Sequence, residues 1–255
     1  MSTRVTVGTA ALFDGSQSVE AVCFDLFHTL VDVGAVPTHV GRGTAEILGV
    51  DAGAWNAACF GPLHDICRPT EHRDIVRRLA HSIDPAIPGH VIEAAVSERQ
   101  RRFDHSLTHV DPGVIGTLRR LRARGMRLAL ISNASTAEVA AWARSPLAPL
   151  FDATIFSCEC GSRKPEPAIY HRALEQLGAH PSRCLFVGDG GSEEHVGARS
   201  LGLTTVLLTT HIAARLSAEA IAARARHADV VLHGLHELEV LLDEPGGSEW
   251  SPASS

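Results

Sequence analysis

The sequence predicts an α/β fold, with a parallel sheet covered by helices on both faces and a helical subdomain inserted after the first strand. Three observations predict it. Short apolar runs rich in β-branched residues alternate with amphipathic helical patterns. Gly, Asp, Ser or Pro bound the runs, as they bound buried strands. One long stretch, between the first run and the second, carries helical patterns only.

The strand runs are Val19–Phe24, Arg127–Ile131, Ala153–Phe156, Cys184–Val187, Thr204–Leu208 and Ala228–Leu232. The helices between them have legible ends. Asp111 is an N-cap with Pro112 in the first turn; Val114, Leu118 and Leu121 form one stripe, and Gly125 ends it. Ser135 and Glu138 have capping-box spacing and predict the start of the next helix. Pro167 begins another, with Ala173, Leu174 and Leu177 on its inner side and Gly178 at its end. The stretch Val36–Thr108 is too long for a plain loop, and its patterns at Gly43–Leu48, Ala52–Phe60, Glu71–His81 and His90–His105 are helical. The organisation is therefore an extension at 1–18, a core at 19–35 and 109–243, a helical insertion at 36–108, and a Gly-, Ser- and Pro-rich tail at 244–255 that is expected to be disordered.

A hydrophobic fraction of 45% and a charged fraction of 20% are those of a globular chain. A net charge of −6 disfavours a broad nucleic-acid surface, so no nucleic-acid partner is expected. Residues 1–18 lack the basic start and apolar run of a secretory signal, and no stretch has the length of a membrane span. The six Cys are scattered, and the one close pair, Cys158 and Cys160, lacks a usual zinc spacing. Buried thiols in a reducing cytoplasm are expected, in a monomer or a homodimer.

Four segments stand at carboxyl ends of predicted strands, the edge where an open α/β sheet binds ligands. Asp25 follows the first; an Asp there either caps a turn or serves as nucleophile or metal ligand. Ser132 and Asn133 follow the second, where a hydroxyl and free backbone N–H groups form an anion cradle or an ordinary turn. Lys164 lies between Ser162 and Pro167. It is the only Lys among 23 Lys and Arg residues, which is either chance, with an ordinary surface Lys, or the mark of a place where a compact ammonium is needed. Gly188-Asp189 ends the fourth run, and Glu193 and Glu194 follow in a first helical turn, where the helix dipole also favours acids. An oxygen-rich set of this kind suits Mg²⁺.

Together, in this order, the four segments resemble the motifs of the haloacid dehalogenase superfamily, over nearly all of Glu20–Leu242. The resemblance implies a Rossmann-like three-layer core with an α-helical cap of the first type. It implies that Asp25 accepts a phosphoryl group, Ser132 holds a phosphoryl oxygen, and Lys164 neutralises charge on both. It places Mg²⁺ on Asp25, Asp189, Glu194 (or Glu193) and the backbone carbonyl of Phe27, with Thr29 fixing the nucleophile loop. A phosphorylated small molecule is the implied substrate, with Asn133 and the inserted stretch containing His64 and Arg68 near it.

The chain departs from the phosphatase pattern at one place. Phe27 stands where that pattern has a second Asp, which protonates the leaving oxygen and later activates water. Such proton transfer is worth about 10²–10⁴ in rate. A dehalogenase needs no such proton and has an aromatic residue here, but Gly188-Asp189 is intact and no Arg stands at the spacing expected for halide binding. A phosphonate-cleaving enzyme needs a cap Lys, and the insertion has none. Phosphoryl chemistry with the proton supplied by His28, or by a cap histidine such as His64 or His72, keeps the other motifs in use. A catalytically silent phospho-ligand binder is the reading outside enzymology, favoured by Phe27 and opposed by the intact Asp25, Ser132, Lys164 and Asp189.

Overall fold

The structure is a computed structural model and describes residues 18–243; the extension before Ser18 and the Gly/Ser/Pro tail lie outside the described residues. Six parallel strands, β1 (Ala21–Phe24), β2 (Arg127–Ser132), β3 (Ala153–Phe156), β4 (Cys184–Gly188), β5 (Thr204–Leu208) and β6 (Val230–Leu232), form one sheet in the order β3-β2-β1-β4-β5-β6. The predicted runs match these strands to within two residues at each end. Period-two alternation divides the sheet between two cores. Val22, Phe24, Leu128, Leu130, Leu185 and Val187 face one. Ala21, Cys23, Ala129, Ile131, Cys184 and Phe186 face the other. This is a Rossmann-like α/β fold.

Between β1 and β2 the chain forms α1 (Thr44–Leu48), α2 (Ala52–Phe60), α3 (His72–Ile83), α4 (Gly89–Thr108) and α5 (Pro112–Ala123). The first four share a core of their own, in which Ile75, Val76, Leu79 and Ala80 of α3 form one stripe against Leu48, Trp55 and Ile92. Asp51 and Asp111 cap α2 and α5 by accepting the N–H groups of Ala54 and Gly113. The far end of α4 leaves this core: Leu107 joins the sheet's core, and Phe103 meets Phe27 edge to face with centroids 5.5 Å apart. Further along are α6 (Ser157–Cys160), α7 (Pro167–Leu177, ended by Gly178 in the left-handed region), α8 (Glu194–Ser200), α9 (Ala218–Ala225) and α10 (Glu237–Asp243).

The helix expected from Ser135 does not form. The Ser135 N–H does donate to the Glu138 carboxylate at 2.8 Å, so half of the capping box is present. The segment then winds through successive i→i−3 bonds into a short 3₁₀ turn at Trp142–Arg144. Tertiary demands override the local signal. Gln100 of α4 takes the Ala137 carbonyl at 2.9 Å, and Arg99 takes the Glu138 carboxylate at 2.8 Å. Ala134, Ala137, Val139 and Ala141 are all buried, a spacing that no single helical face provides.

Candidate active site

β1 lies between β2 and β4, so the carboxyl ends of all three open side by side at the point where the strand order reverses. Asp25 extends the ladder by one bond, its N–H donating to the Val187 carbonyl at 2.9 Å. The chain then folds back, with Leu30 and Val31 both donating to the Leu26 carbonyl and His28 held at φ +65°. The turn carries Thr29 back over Asp25, where its hydroxyl donates to Oδ2 at 2.9 Å.

Lys164 arrives from the loop between α6 and α7. Asn133 fixes that loop by accepting the Lys164 N–H at 2.7 Å and donating to the Lys164 carbonyl at 3.0 Å. The ammonium donates to Asp25 Oδ1 at 2.5 Å and to Glu194 Oε2 at 2.6 Å. Glu194 is held from the other side by the Gly190 N–H, at 2.9 Å to Oε1. Asp189 accepts the Gly191 N–H on Oδ1 at 2.9 Å and Arg224 of α9 on Oδ2 at 2.7 Å. Asp25, Asp189 and Glu194 each present a carboxylate oxygen within 4.8 Å of the others, and all three are buried.

Three buried carboxylates against two cations, Lys164 on Asp25 and Glu194 and Arg224 on Asp189, leave surplus negative charge. Burial, with Asp25 and Asp189 beside it, pushes the Glu194 carboxyl up to about 8 even though Lys164 pulls it down. Burial draws Lys164 down, but Asp25 and Glu194 outweigh it and hold the ammonium above its ordinary range. Both shifts follow from one ammonium shared between two buried carboxylates, with a third beside them. The donor set is all oxygen and short of positive charge, which fits a hard divalent cation. Beside it Ser132 ends β2 with its hydroxyl fully buried and without a hydrogen-bond partner, an arrangement that costs about 1–3 kcal/mol until a ligand oxygen accepts from it.

Glycine at 188 is a requirement of this packing. A Cβ there would stand 2.1 Å from Glu194 Oε1 and 2.7 Å from its Cδ, displacing the carboxylate from Lys164. Gly188→Ala is expected to lower stability by about 1–3 kcal/mol, as overpacking a dense core does. Urea denaturation monitored by circular dichroism checks this, and an unchanged midpoint would contradict the packing described.

Of the residues singled out from the sequence, Asp25, Thr29, Lys164, Asp189 and Glu194 converge here, with Ser132 on the neighbouring strand end. Asn133 is present as the clamp on Lys164. Glu193 is exposed, in the left-handed region at φ +51°, and outside the carboxylate cluster, so Glu194 alone is the second acid of this turn. His28 turns into a surface ion pair: its Nδ1 accepts from Arg215 at 3.1 Å, beside Asp32, which grips Arg215 with both oxygens at 2.5 Å. Arg68 is 71% exposed and pairs with Asp65, three residues before it, at 2.5 Å. His64 is partly buried, donating from Nδ1 to the Cys59 carbonyl at 2.7 Å, with Nε2 3.5 Å from Glu138. Sequence reasoning missed Arg224, which lies on a remote helix among many arginines and carries no local signal. It also read Glu138 only as a cap residue.

Comparison with known proteins agrees with this geometry. Residues 19–202 match the family described as haloacid dehalogenase-like hydrolase. Phosphoglycolate phosphatase 1 of Pseudomonas aeruginosa is 30% identical over 216 residues, covering 80% of this chain and 74% of that protein. A glyceraldehyde 3-phosphate phosphatase of Methanothermobacter thermautotrophicus is 32% identical over 104 residues, 40% of this chain and 45% of that one. The L-2-haloacid dehalogenase of Xanthobacter autotrophicus shares the fold, with a TM-score of 0.58 at 23% identity over 88% of this chain and 98% of that chain. A buried carboxylate-and-ammonium pair at the switch point of the sheet, and a family match over most of the chain, together make this protein a haloacid dehalogenase-like hydrolase.

Proposed function

We propose that the protein is a Mg²⁺-dependent phosphohydrolase that acts on a phosphorylated small molecule through a covalent aspartyl-phosphate on Asp25. The observation that carries this reading is the buried Lys164 ammonium held between Asp25 and Glu194, with Asp189 in the same cluster. Phosphoryl transfer asks mainly for positioning and for neutralisation of charge on two anions that repel each other. Lys164 supplies one charge to the nucleophile and the incoming phosphoryl group. Asp25, Asp189, Glu194 and the Phe27 carbonyl would hold Mg²⁺, which supplies the remaining positive charge when bound. Thr29 fixes one oxygen of the nucleophile, the Ser132 hydroxyl donates to a phosphoryl oxygen, and Asn133 holds Lys164 in place. A carboxylate oxygen of Asp25 attacks phosphorus and the ester oxygen leaves. Water then cleaves the mixed anhydride and restores the carboxylate. Helices α1–α4 form the cap and exclude bulk water from this chemistry.

The test is a panel of phosphate esters, including phosphoglycolate, glyceraldehyde 3-phosphate, glycerol phosphate and 4-nitrophenyl phosphate, assayed for phosphate release with Mg²⁺ and with a chelator. Release that requires Mg²⁺ and is absent in Asp25→Asn is expected. Phosphate release by Asp25→Asn at the wild-type rate would reject the covalent route. One observation favours dehalogenation instead, namely the Phe27 ring packed on Phe103 beside the nucleophile. Chloride release from 2-chloropropionate in the presence of a chelator would establish that alternative.

A further inference from the structure

The turn after β1 carries both Asp25 and the Phe27 carbonyl assigned to Mg²⁺, and two hydrogen bonds close it. The His28 N–H donates to the Val31 carbonyl at 2.7 Å, and the Val31 N–H donates to the Leu26 carbonyl at 3.1 Å. They bracket Phe27, and neither uses its carbonyl. A trans peptide is planar, with its C=O and N–H on opposite sides. The bond made by the His28 N–H therefore sets the direction of the Phe27 carbonyl, away from Val31. The peptide plane keeps this direction only while His28 keeps its φ of +65°. A side chain makes that region costly, and Gly alone enters it freely.

His28 is held from outside the turn. Its Nδ1 accepts from Nη1 of Arg215 at 3.1 Å. Arg215 comes from the loop between β5 and α9, at the same edge of the sheet as Asp25. That loop is tightly wound: the Ala213 N–H bonds the Thr209 carbonyl at 2.9 Å, and the N–H groups of Arg215 and Leu216 bond the Ile212 carbonyl at 3.0 and 2.9 Å. The guanidinium itself is seated twice. Asp32 accepts from Nη2 with both oxygens at 2.5 Å, and Oδ1 also takes the Gly34 N–H at 2.9 Å. Burial would raise the Asp32 carboxyl, but Arg215 and the Gly34 N–H outweigh it and hold it below the usual carboxylate range, so it stays ionised. The guanidinium also lies flush against Gly34, where a Cβ would stand 2.6 Å from Cζ and closer still to Nη2.

We infer that Arg215, seated by Asp32 and Gly34, is a positioning residue: through His28 it fixes the direction of the Phe27 carbonyl, and so sets the affinity of the site for a divalent cation. The inference rests on the Mg²⁺-dependent reading above and adds to it a residue from a distant loop. Charge alone would act in the opposite sense. A guanidinium and a divalent cation repel each other, so losing Arg215 would tighten metal binding if its charge were all that mattered. Losing an anchor loosens binding, on the scale of about 10–100-fold that follows when a group behind a metal ligand is removed. The sign of the change separates the two causes.

Calorimetric titration of the metal-free, full-length protein with magnesium chloride, in the absence of substrate, tests this. Arg215→Ala is expected to weaken Mg²⁺ binding by about 10–100-fold. Gly34→Ala leaves every charge in place while its methyl group displaces the guanidinium, and it is expected to weaken binding in the same direction. In a His28→Gly background residue 28 enters the left-handed region unaided, so there Arg215→Ala is expected to change the affinity by less than about threefold, the non-additivity of two residues that act as one. Unchanged or tighter binding in Arg215→Ala or Gly34→Ala, or a loss of full size in the His28→Gly background, overturns the positioning role while leaving the phosphohydrolase reading intact. A wild-type protein that binds no Mg²⁺ by calorimetry and gains no thermal stability from it overturns both. Circular dichroism confirms the fold of each variant. Should Arg215→Ala fail to fold, Arg215→Lys is measured in its place; it keeps the charge but lacks the planar fork that spans Asp32 and His28, and the same direction of change is expected.

Discussion

Asp25→Asn is expected to lower phosphate release by roughly 10⁴-fold or more, the scale on which loss of a covalent nucleophile is felt, and yet to leave the metal-free protein at least as stable as wild type near pH 8. The two halves have one cause. In wild type, Asp25, Asp189 and Glu194 share Lys164 and Arg224, three carboxylates against two cations. Neutralising residue 25 leaves the two pairs Lys164–Glu194 and Asp189–Arg224 in balance. The Asn amide also fits the place: its oxygen accepts from Lys164, and the Thr29 hydroxyl, which donates to Oδ2 in wild type, rotates to accept from the new N–H. Urea denaturation in a chelator, beside a phosphate-release assay, reads both quantities. A variant that keeps turnover within tenfold of wild type would remove Asp25 from the chemistry. A variant that loses more than about 1 kcal/mol, the worth of an ordinary hydrogen bond, would show that charge crowding does not govern this site.

The sequence made the strands legible because each is a short run buried on both faces, so its apolar residues are continuous and its ends are marked by turn residues. The side chains that meet at the candidate site were legible for a related reason. Asp25, Ser132 and Asp189 follow strands directly, and Lys164 stands out as the sole ammonium in a chain that otherwise uses Arg. What was not legible came from contacts between distant elements. The capping-box pattern at Ser135 is real locally, but Gln100 and Arg99 of α4 claim the groups that a helix would have used. Arg224 reaches Asp189 from a helix whose sequence shows only a solvated face. The choice between Glu193 and Glu194 depends on a backbone angle, since the left-handed conformation at 193 leaves that residue exposed while 194 is buried. Asn133, expected near the substrate, bonds the Lys164 backbone, because side-chain type fixes what can be bonded and not which backbone stands opposite.

Lys164→Met is expected to cost about 3–5 kcal/mol near pH 8, because it leaves buried carboxylates without the charge that holds them together, and to abolish phosphate release. The pH dependence distinguishes this cause from simple loss of packing. Across neutral pH, Lys164 is protonated both folded and unfolded, so it contributes no slope of its own in wild type; its stabilisation is lost only above its raised folded value. Glu194 supplies the slope. Its folded value lies at about 8 and its unfolded value at 4.5, so the folded state holds the extra proton between them. Stability from this group is complete below 4.5 and is lost as pH rises toward about 8. Metal-free wild type therefore weakens over that interval, and Mg²⁺ at saturation should flatten the slope by supplying the charge that the proton otherwise supplies. Without Lys164, which pulls it down in wild type, the Glu194 carboxyl holds its proton more tightly still, so the variant should fall more steeply with pH and come closer to wild type near pH 4, where Glu194 is protonated. Melting temperatures of both proteins from pH 4 to 9, with a chelator and with Mg²⁺, read this directly. Parallel curves, with a constant gap between wild type and variant at every pH, would mean that the ammonium serves as volume and not as charge.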